Sequence, residues 1–242
     1  MSKTFAELGI PFPLFAGPSD QASEYCGSDT CSLCGGRRQH CFRLGIGCAV
    51  MWPCPACGTE NGLDADDRED GLCRKCQATV PFPDLGDDEI KACYACLRVG
   101  NAAITKDTEL GMISWEQAFA GVTHGRPGLE RTDFELVPKE DDWVGARLPQ
   151  ETMFELLRTP TYSSIQGERW QFCCRRPMVF VGEWGREEFD RHAPDGDGRR
   201  CFAEIAQNIV PGLWEDQLHD ITGVYVFRCP SCERVTAHWD LA

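Results

Sequence analysis

The sequence predicts an α+β fold, a small mixed domain in which cysteine-rich knuckles join the loops. Sixteen of the 242 residues are cysteine, and they include five Cys-x-x-Cys pairs. The C-terminal half alternates amphipathic segments with segments rich in aromatic and β-branched residues, which are typical of helices and strands respectively. No apolar run approaches the roughly 18 residues that a membrane-spanning helix needs. These observations together favour a compact chain stabilised through its cysteines.

The charge balance restricts the classes of partner. The 24 Lys and Arg residues against 38 Asp and Glu residues give a formal charge of −14. A nucleic-acid-binding surface needs a basic stripe that releases counterions, so this balance disfavours one. The opening MSKTFAELGIPFPLF has no signal-peptide pattern, and we expect a cytoplasmic protein. In a reducing compartment, closely spaced cysteines predict metal thiolates rather than disulfides.

The inner cysteine pairs predict a zinc ribbon. Cys54 and Cys57 are separated from Cys73 and Cys76 by 15 residues, which is the spacing of a ribbon that binds one Zn²⁺ through four thiolates. Gly58 directly follows the first pair, where a knuckle turn needs positive φ. The acidic stretch between the pairs is expected to be a solvated loop.

The outer pairs flank this ribbon. Cys31 and Cys34 precede it and Cys93 and Cys96 follow it, with 58 residues between the pairs. Such a gap is acceptable if the ribbon is an insertion, because loop-closure entropy grows only logarithmically with length. The alternative is sequential pairing, in which each pair combines with its nearest neighbour along the chain. We favour the nested arrangement.

Nesting predicts three segments. Residues 1–48 would form an N-terminal arm and the first half of the outer knuckle pair. Residues 49–90 would be the inserted zinc ribbon, and residues 91–242 would supply the second half of the outer pair and an α+β core.

A third candidate site lies in the C-terminal half. Cys173 and Cys174 would combine with Cys229 and Cys232. Adjacent residues on a strand point to opposite faces, so one metal ion would be expected to take only one of the first two. The alternative sources of a fourth ligand are Cys201, His219 and His238. The sequence therefore predicts two to three structural Zn²⁺ ions.

Short elements follow from local signals. Ser114 with Gln117 three residues later forms a capping-box pattern for a helix over 114–123. Pro149 begins a second helix that Pro160 stops, and residues 201–210 have helical periodicity. WQFCCRRPMVFVGEWG and TGVYVFRC are strand-like.

Two C-terminal motifs resemble those of the bacterial CbrC family, whose named member is a colicin-tolerance protein. The motif residues are Arg158, Thr159, Pro160, Tyr162, Gln166, Trp170, Cys173, Cys174, Phe180 and Gly182, followed by Tyr225, Phe227, Arg228, Cys229 and Cys232. The inner ribbon is extra relative to this family, and Cys173 stands where the family has a histidine. The resemblance implies a cytoplasmic zinc-binding protein that confers tolerance of, or immunity to, a bacteriocin-like toxin.

The residues and the resemblance support three hypotheses in descending order. The first is a non-enzymatic immunity protein that binds a basic toxin domain, such as a nuclease, through its acidic surface. The second is a nucleic-acid-binding or transcription-related zinc-ribbon protein, which the net charge opposes. The third is a zinc enzyme using the C-terminal cysteines, which would require an open coordination position. No catalytic residues are assigned, because phosphate-loop, nucleophile-elbow and HExxH motifs are absent.

Overall fold

The structure, a computed structural model, describes residues 2–86, 88–210, 212–217 and 222–241. It confirms the α+β class: several small sheets alternate with a few short helices. The chain divides into two compact units. The central unit is Ser23–Thr161, and the terminal unit combines Met1–Ala22 with Tyr162–Ala242. The three segments predicted from the cysteine pairs differ from these units, and their boundaries stay a prediction.

The helices are short. They are α1 (Tyr94–Val99), α2 (Trp115–Ala120), α3 (Gln150–Leu157), α4 (Arg186–His192) and α5 (Gly198–Ile205), with a 3₁₀ turn at Ser19–Gln21 and a π turn at Leu213–Gln217. Within the described residues, no helix has the length and apolarity to cross a bilayer.

The strands are equally short. They are β1 (Tyr25–Thr30), β2 (Arg37–Arg43), β3 (Cys48–Pro53), β4 (Glu60–Asp64), β5 (Gly71–Leu72), β6 (Thr79–Val80), β7 (Lys91–Cys93), β8 (Ala102–Ile104), β9 (Arg126–Pro127), β10 (Leu136–Pro138), β11 (Trp143–Ala146), β12 (Phe172–Cys173), β13 (Arg176–Pro177), β14 (Val179–Glu183), β15 (Thr222–Arg228) and β16 (Val235–Leu241).

The central unit contains four antiparallel sheets. Their strand orders are β1-β2-β7, β4-β3-β8, β5-β6 and β10-β11-β9. The β1-β2-β7 sheet joins chain segments on either side of β3–β6, because β2 pairs directly with β7. This pairing brings the two outer cysteine pairs to the same end of one sheet.

The terminal unit is built on the antiparallel sheet β14-β15-β16. Val224 and Val226 of β15 belong to one buried cluster with Phe189 of α4 and Phe202 of α5. The alternate residues of β15 include Phe227, whose ring lies 5.6 Å from that of Phe180. Both faces are therefore covered, which explains why this strand has a continuous apolar sequence instead of alternating.

The local signals in the sequence succeed where a cap is present. Ser114 caps α2, its side chain accepting from the Glu116 N–H, and Gln117 completes the capping box. Helix α3 begins after Pro149, as expected. The periodicity at 201–210 predicted the end of α5 wrongly. The helix spans Gly198–Ile205, and Ala206 directly after it is extended and forms a parallel bridge to Ala237 of β16.

Candidate metal centres

The twelve cysteines predicted as ligands gather into three sets of four. In each set the four sulfur atoms all lie within 4.8 Å of one another. The sets are the outer tetrad (Cys31, Cys34, Cys93, Cys96), the inner tetrad (Cys54, Cys57, Cys73, Cys76) and the C-terminal tetrad (Cys173, Cys174, Cys229, Cys232). The pairing is therefore nested and not sequential.

The sulfur–sulfur distances suit a single central ion. Sγ atoms lie 3.8 Å apart between Cys31 and Cys96, and 3.7 Å apart between Cys54 and Cys76. In the C-terminal tetrad, Cys173 Sγ lies 3.6 Å from Cys232 Sγ. A tetrahedron with metal–sulfur bonds of about 2.3 Å has edges of about 3.8 Å, whereas a disulfide bond is about 2.05 Å long. All sixteen cysteines are unbridged.

Four of the five Cys-x-x-Cys pairs form the same knuckle turn. The carbonyl of the first cysteine accepts the N–H of the residue after the second one, as in Gly35 to Cys31 at 2.8 Å and Gly58 to Cys54 at 2.8 Å. That residue has positive φ in every case, at Gly35 (67°), Gly58 (69°), Gln77 (60°) and Glu233 (58°). Glycine adopts this conformation readily, and other residues do so at a cost.

The fifth pair differs from the predicted knuckle. Cys93 is the N-cap of α1 and Cys96 lies in its first turn, so this pair belongs to a helix. Leu97 follows Cys96 and is fully buried inside the helix, whereas glycine follows the outer and inner leading knuckles. The other two knuckles are followed by Gln77 and Glu233, so the sequence signal for the helical pair is a buried apolar residue after the second cysteine.

The expectation that only one of Cys173 and Cys174 could reach a metal ion was wrong. Cys173 ends β12, but Cys174 and Arg175 form the two-residue turn to β13, with φ of 52° and 61°. Two consecutive positive φ values are typical of the tight hairpin turns that reverse a strand. Strand alternation does not apply in a turn, and the Sγ atoms of the adjacent cysteines lie 3.8 Å apart.

Two of the three alternative fourth ligands, Cys201 and His238, are not in this tetrad. Cys201 lies on α5, and it is absent from the C-terminal group of ligand atoms. His238 Nε2 lies 2.7 Å from the Tyr162 hydroxyl. His219 lies outside the described residues.

At least one thiol in each tetrad has a lowered pKa, which favours its ionised form. The Gly36 N–H and the Arg38 guanidinium lower the pKa of Cys34 to about 6. The backbone N–H groups of Cys76 and Lys75 lower the pKa of Cys73 to about 6. These hydrogen bonds favour the thiolate, which is the form that binds metal.

The C-terminal tetrad has the same feature. Burial opposes ionisation of Cys229, but the N–H groups of Cys232 and Ser231 outweigh it and lower the pKa to about 7. An arriving ion would therefore meet at least one thiol disposed to ionise in each site, and its binding would displace the remaining protons.

Two buried cysteines outside the tetrads have the opposite property. Burial raises the pKa of Cys41 to about 11 and that of Cys48 to about 12. Cys41 lies opposite Cys93 across β2 and β7, yet its thiol is directed to the Asp29 carbonyl at 3.5 Å. Both side chains therefore act as small apolar groups of the core.

Comparison with known proteins gives a family without an assigned activity. The family model described as "Uncharacterised protein family (UPF0167)" matches residues 61–241, about three quarters of the chain. A Pseudomonas aeruginosa protein, "UPF0167 protein PA1536", is 36% identical over 89 residues. That alignment covers 35% of this chain and 47% of the relative, so the chain spans about half the length of the curated relative it matches. No solved structure matches the chain. The CbrC name suggested by the motifs is not confirmed.

Proposed function

The chain belongs to the uncharacterised protein family UPF0167, and from that premise we propose a binding protein whose three cysteine tetrads each hold one structural Zn²⁺ ion. The observation that carries the proposal is the presence of three sets of four sulfur atoms, each within 4.8 Å of the others. Their spacing is that of a tetrahedron around one ion rather than of paired disulfides.

The donor set supports zinc and a structural role. Soft thiolates in a tetrahedral set select Zn²⁺ or iron, and Zn(Cys)₄ is a common structural centre. Four thiolates fill the coordination sphere and leave no position for a reactive water. We therefore assign no catalysis to these sites and regard the protein as non-enzymatic.

Elemental analysis of the native chain and of two serine variants tests the metal assignment. We expect about three zinc ions per wild-type chain and about two in Cys54→Ser, because the inner tetrad then lacks a ligand. Cys48→Ser is the matched control, since Cys48 is equally buried but lies outside every tetrad, and it should keep all three ions. Iron in place of zinc, or an unchanged zinc content in Cys54→Ser, would contradict the assignment.

The partner we propose is a basic protein, specifically a toxin domain that this chain neutralises in the cytoplasm. The formal charge of −14 supports this choice. Each Zn(Cys)₄ centre adds −2, so three centres take the charge to about −20. An acidic surface of this strength speeds encounter with a basic surface and can occupy the positions where a nuclease holds phosphate. The resemblance of the C-terminal motifs to a colicin-tolerance family points to the same class of partner.

Binding to a toxin encoded beside the gene tests this second part. Purified zinc-loaded chain should form a stable complex with the basic toxin domain, and association should slow as salt rises. Failure to form a complex at low salt would contradict the toxin proposal while leaving the zinc assignment intact. Affinity for DNA or RNA with a steep salt dependence would instead favour the nucleic-acid alternative.

A further inference from the structure

A small apolar cavity lies in the central unit beside the end of α3. Its volume is about 210 Å³. Phe119 from α2 and Phe154 and Leu157 from α3 form much of its wall, with Ala103 of β8. The rings of Phe119 and Phe154 meet edge to face, with centroids 5.1 Å apart. The cavity is independent of the three tetrads, and its lining includes none of their cysteines.

The Arg158 guanidinium gives this cavity a positive wall, and the Arg74 guanidinium lies over the Phe119 ring, 3.9 Å from its centroid. Arg158 lines the cavity, and its Nε is a buried atom that lacks a hydrogen-bond partner in the described part of the chain. The Arg158 guanidinium packs on the bare backbone of Gly100, where a Cβ would come within 3.0 Å of its Nη2. Its position is held by this packing and by the Phe154 ring, whose centroid lies 5.7 Å from the guanidinium carbon, rather than by an ion pair.

The contrast with Arg98 shows what Arg158 lacks. Arg98 donates to both carboxylate oxygens of Glu155, at 2.7 and 3.0 Å. No carboxylate of the described residues forms an ion pair with Arg158, although Glu60 also lines the cavity. A partly buried charge without a counter-ion is costly, and buried donors are nearly always satisfied.

The helix end accounts for only part of this placement. Arg158 is the C-cap of α3, where a cation interacts favourably with the helix dipole. That interaction supplies no acceptor for the guanidinium N–H groups, which form a planar fork suited to a carboxylate.

We propose that the cavity binds a small carboxylate with a flat apolar body, with the carboxylate on Arg158 and the apolar part against Phe119 and Phe154. An apolar cavity of about 150 Å³ holds benzene. The volume of about 210 Å³ therefore leaves room for one ring and a carboxylate. This ligand supplies the counter-charge that Arg158 lacks, which water or a neutral ring would not.

Calorimetric titration of the zinc-loaded full chain tests the proposal with benzoate, phenylacetate and hexanoate as probes. At least one carboxylate should bind, and its neutral amide should bind about tenfold more weakly, because the charge-assisted hydrogen bonds are lost. Arg158→Met should weaken carboxylate binding by about tenfold or more and bring acid and amide to similar affinities.

Three further variants separate binding from folding. Arg147→Met is the matched control, since Arg147 forms an exposed ion pair with Glu135 and lies outside the cavity, and it should bind as the wild type does. Arg158→Lys keeps the charge without the fork and should bind weakly even if Arg158→Met does not fold. Ala103→Leu should abolish binding by filling the space. The proposal is overturned if no probe binds below about 10 mM, if amides equal acids, or if the Arg158 variants bind as the wild type does.

Discussion

The outer and C-terminal tetrads each contain four cysteine thiols, but the thiols of the outer tetrad are mostly buried and those of the C-terminal tetrad are mostly accessible to solvent. In the outer tetrad Cys31, Cys93 and Cys96 are buried, with exposures of 0%, 2% and 6%. In the C-terminal tetrad only Cys229 is buried, while Cys174 and Cys232 are exposed. Both sets of cysteines therefore predict the same four-thiolate coordination of a metal ion. The difference in burial predicts that solvent and reagents reach the C-terminal thiols much more easily.

Their supports differ as well. The outer tetrad joins a knuckle to the N-terminus of α1, and β2 pairs with β7 immediately before that helix. The C-terminal tetrad joins a knuckle between β15 and β16 to a two-residue hairpin turn. A metal ion in the outer tetrad links segments far apart in sequence within a buried setting, and its loss should destabilise the central unit most.

The largest expected effect is the difference between Cys93→Ser and Cys232→Ser. Each variant should lose one zinc ion. Cys93→Ser leaves buried thiols without their ion and should lower the free energy of unfolding by more than about 4 kcal/mol, whereas exposed Cys232→Ser should cost about 2 kcal/mol or less. Denaturant unfolding with metal analysis measures both. Equal losses in the free energy of unfolding would contradict the comparison, because the burial of a tetrad would then have no influence on its contribution to stability.

Protonation of His238 should add a separate acid sensitivity to the terminal unit. Burial, aided by Arg169, lowers the pKa of His238 to about 4 from 6.5. Between about pH 6.5 and pH 4, His238 is therefore protonated in the unfolded chain but mostly neutral in the folded chain. Stability is full above pH 6.5 and should fall by about 3 kcal/mol by pH 4.

His238→Gln isolates this term from acid-induced metal loss. Glutamine retains a hydrogen-bond partner for the Tyr162 hydroxyl but does not titrate. Plots of the free energy of unfolding against pH should run parallel for the wild type and the variant above pH 6.5 and should diverge below it. Parallel pH profiles throughout would show that His238 contributes nothing.

Metal release should follow the exposure of the thiols. A thiol-specific reagent with a colorimetric zinc indicator should release the first ion from the C-terminal tetrad, about tenfold faster than the last, because the reagent must reach a sulfur atom. In Cys232→Ser the fast phase should disappear. A fast phase that survives in this variant would assign early release to another tetrad.

The smallest effect concerns the knuckle turns. Gly35→Ala should cost about 1 kcal/mol through its φ of 67°, since nothing lies within 4 Å of the added Cβ. Glu233→Gly, at φ 58°, should stabilise by about 0.5 kcal/mol, the relieved strain exceeding the added flexibility of the unfolded chain. Melting temperatures of the two variants should move in opposite directions, and movement in the same direction would refute the turn analysis.

The spacing of the cysteines predicted the tetrads, because a tetrahedral site of four thiolates can be formed by only a few pairings of the Cys-x-x-Cys pairs. Fifteen residues between Cys57 and Cys73 suffice for a ribbon, and a long insert between Cys34 and Cys93 costs little entropy. The capping box at Ser114 was equally readable, because both hydrogen bonds are local.

The remaining features depend on contacts that no local pattern encodes. Cys174 joins the C-terminal tetrad only because two non-glycine residues adopt positive φ in a hairpin turn. Arg158 faces an apolar cavity only because α2 and α3 pack together. Neither arrangement follows from residue type or spacing, since tertiary packing imposes both.

Native mass spectrometry of the purified chain, sprayed without denaturant and then with acid, tests the central claim most directly. Three closed tetrads predict one dominant species with three zinc ions that all dissociate on unfolding. Three ions in wild type and two in each of Cys54→Ser, Cys93→Ser and Cys232→Ser would match each ion to its tetrad. A native species without metal, or one whose metal count is unchanged by these substitutions, would contradict the account.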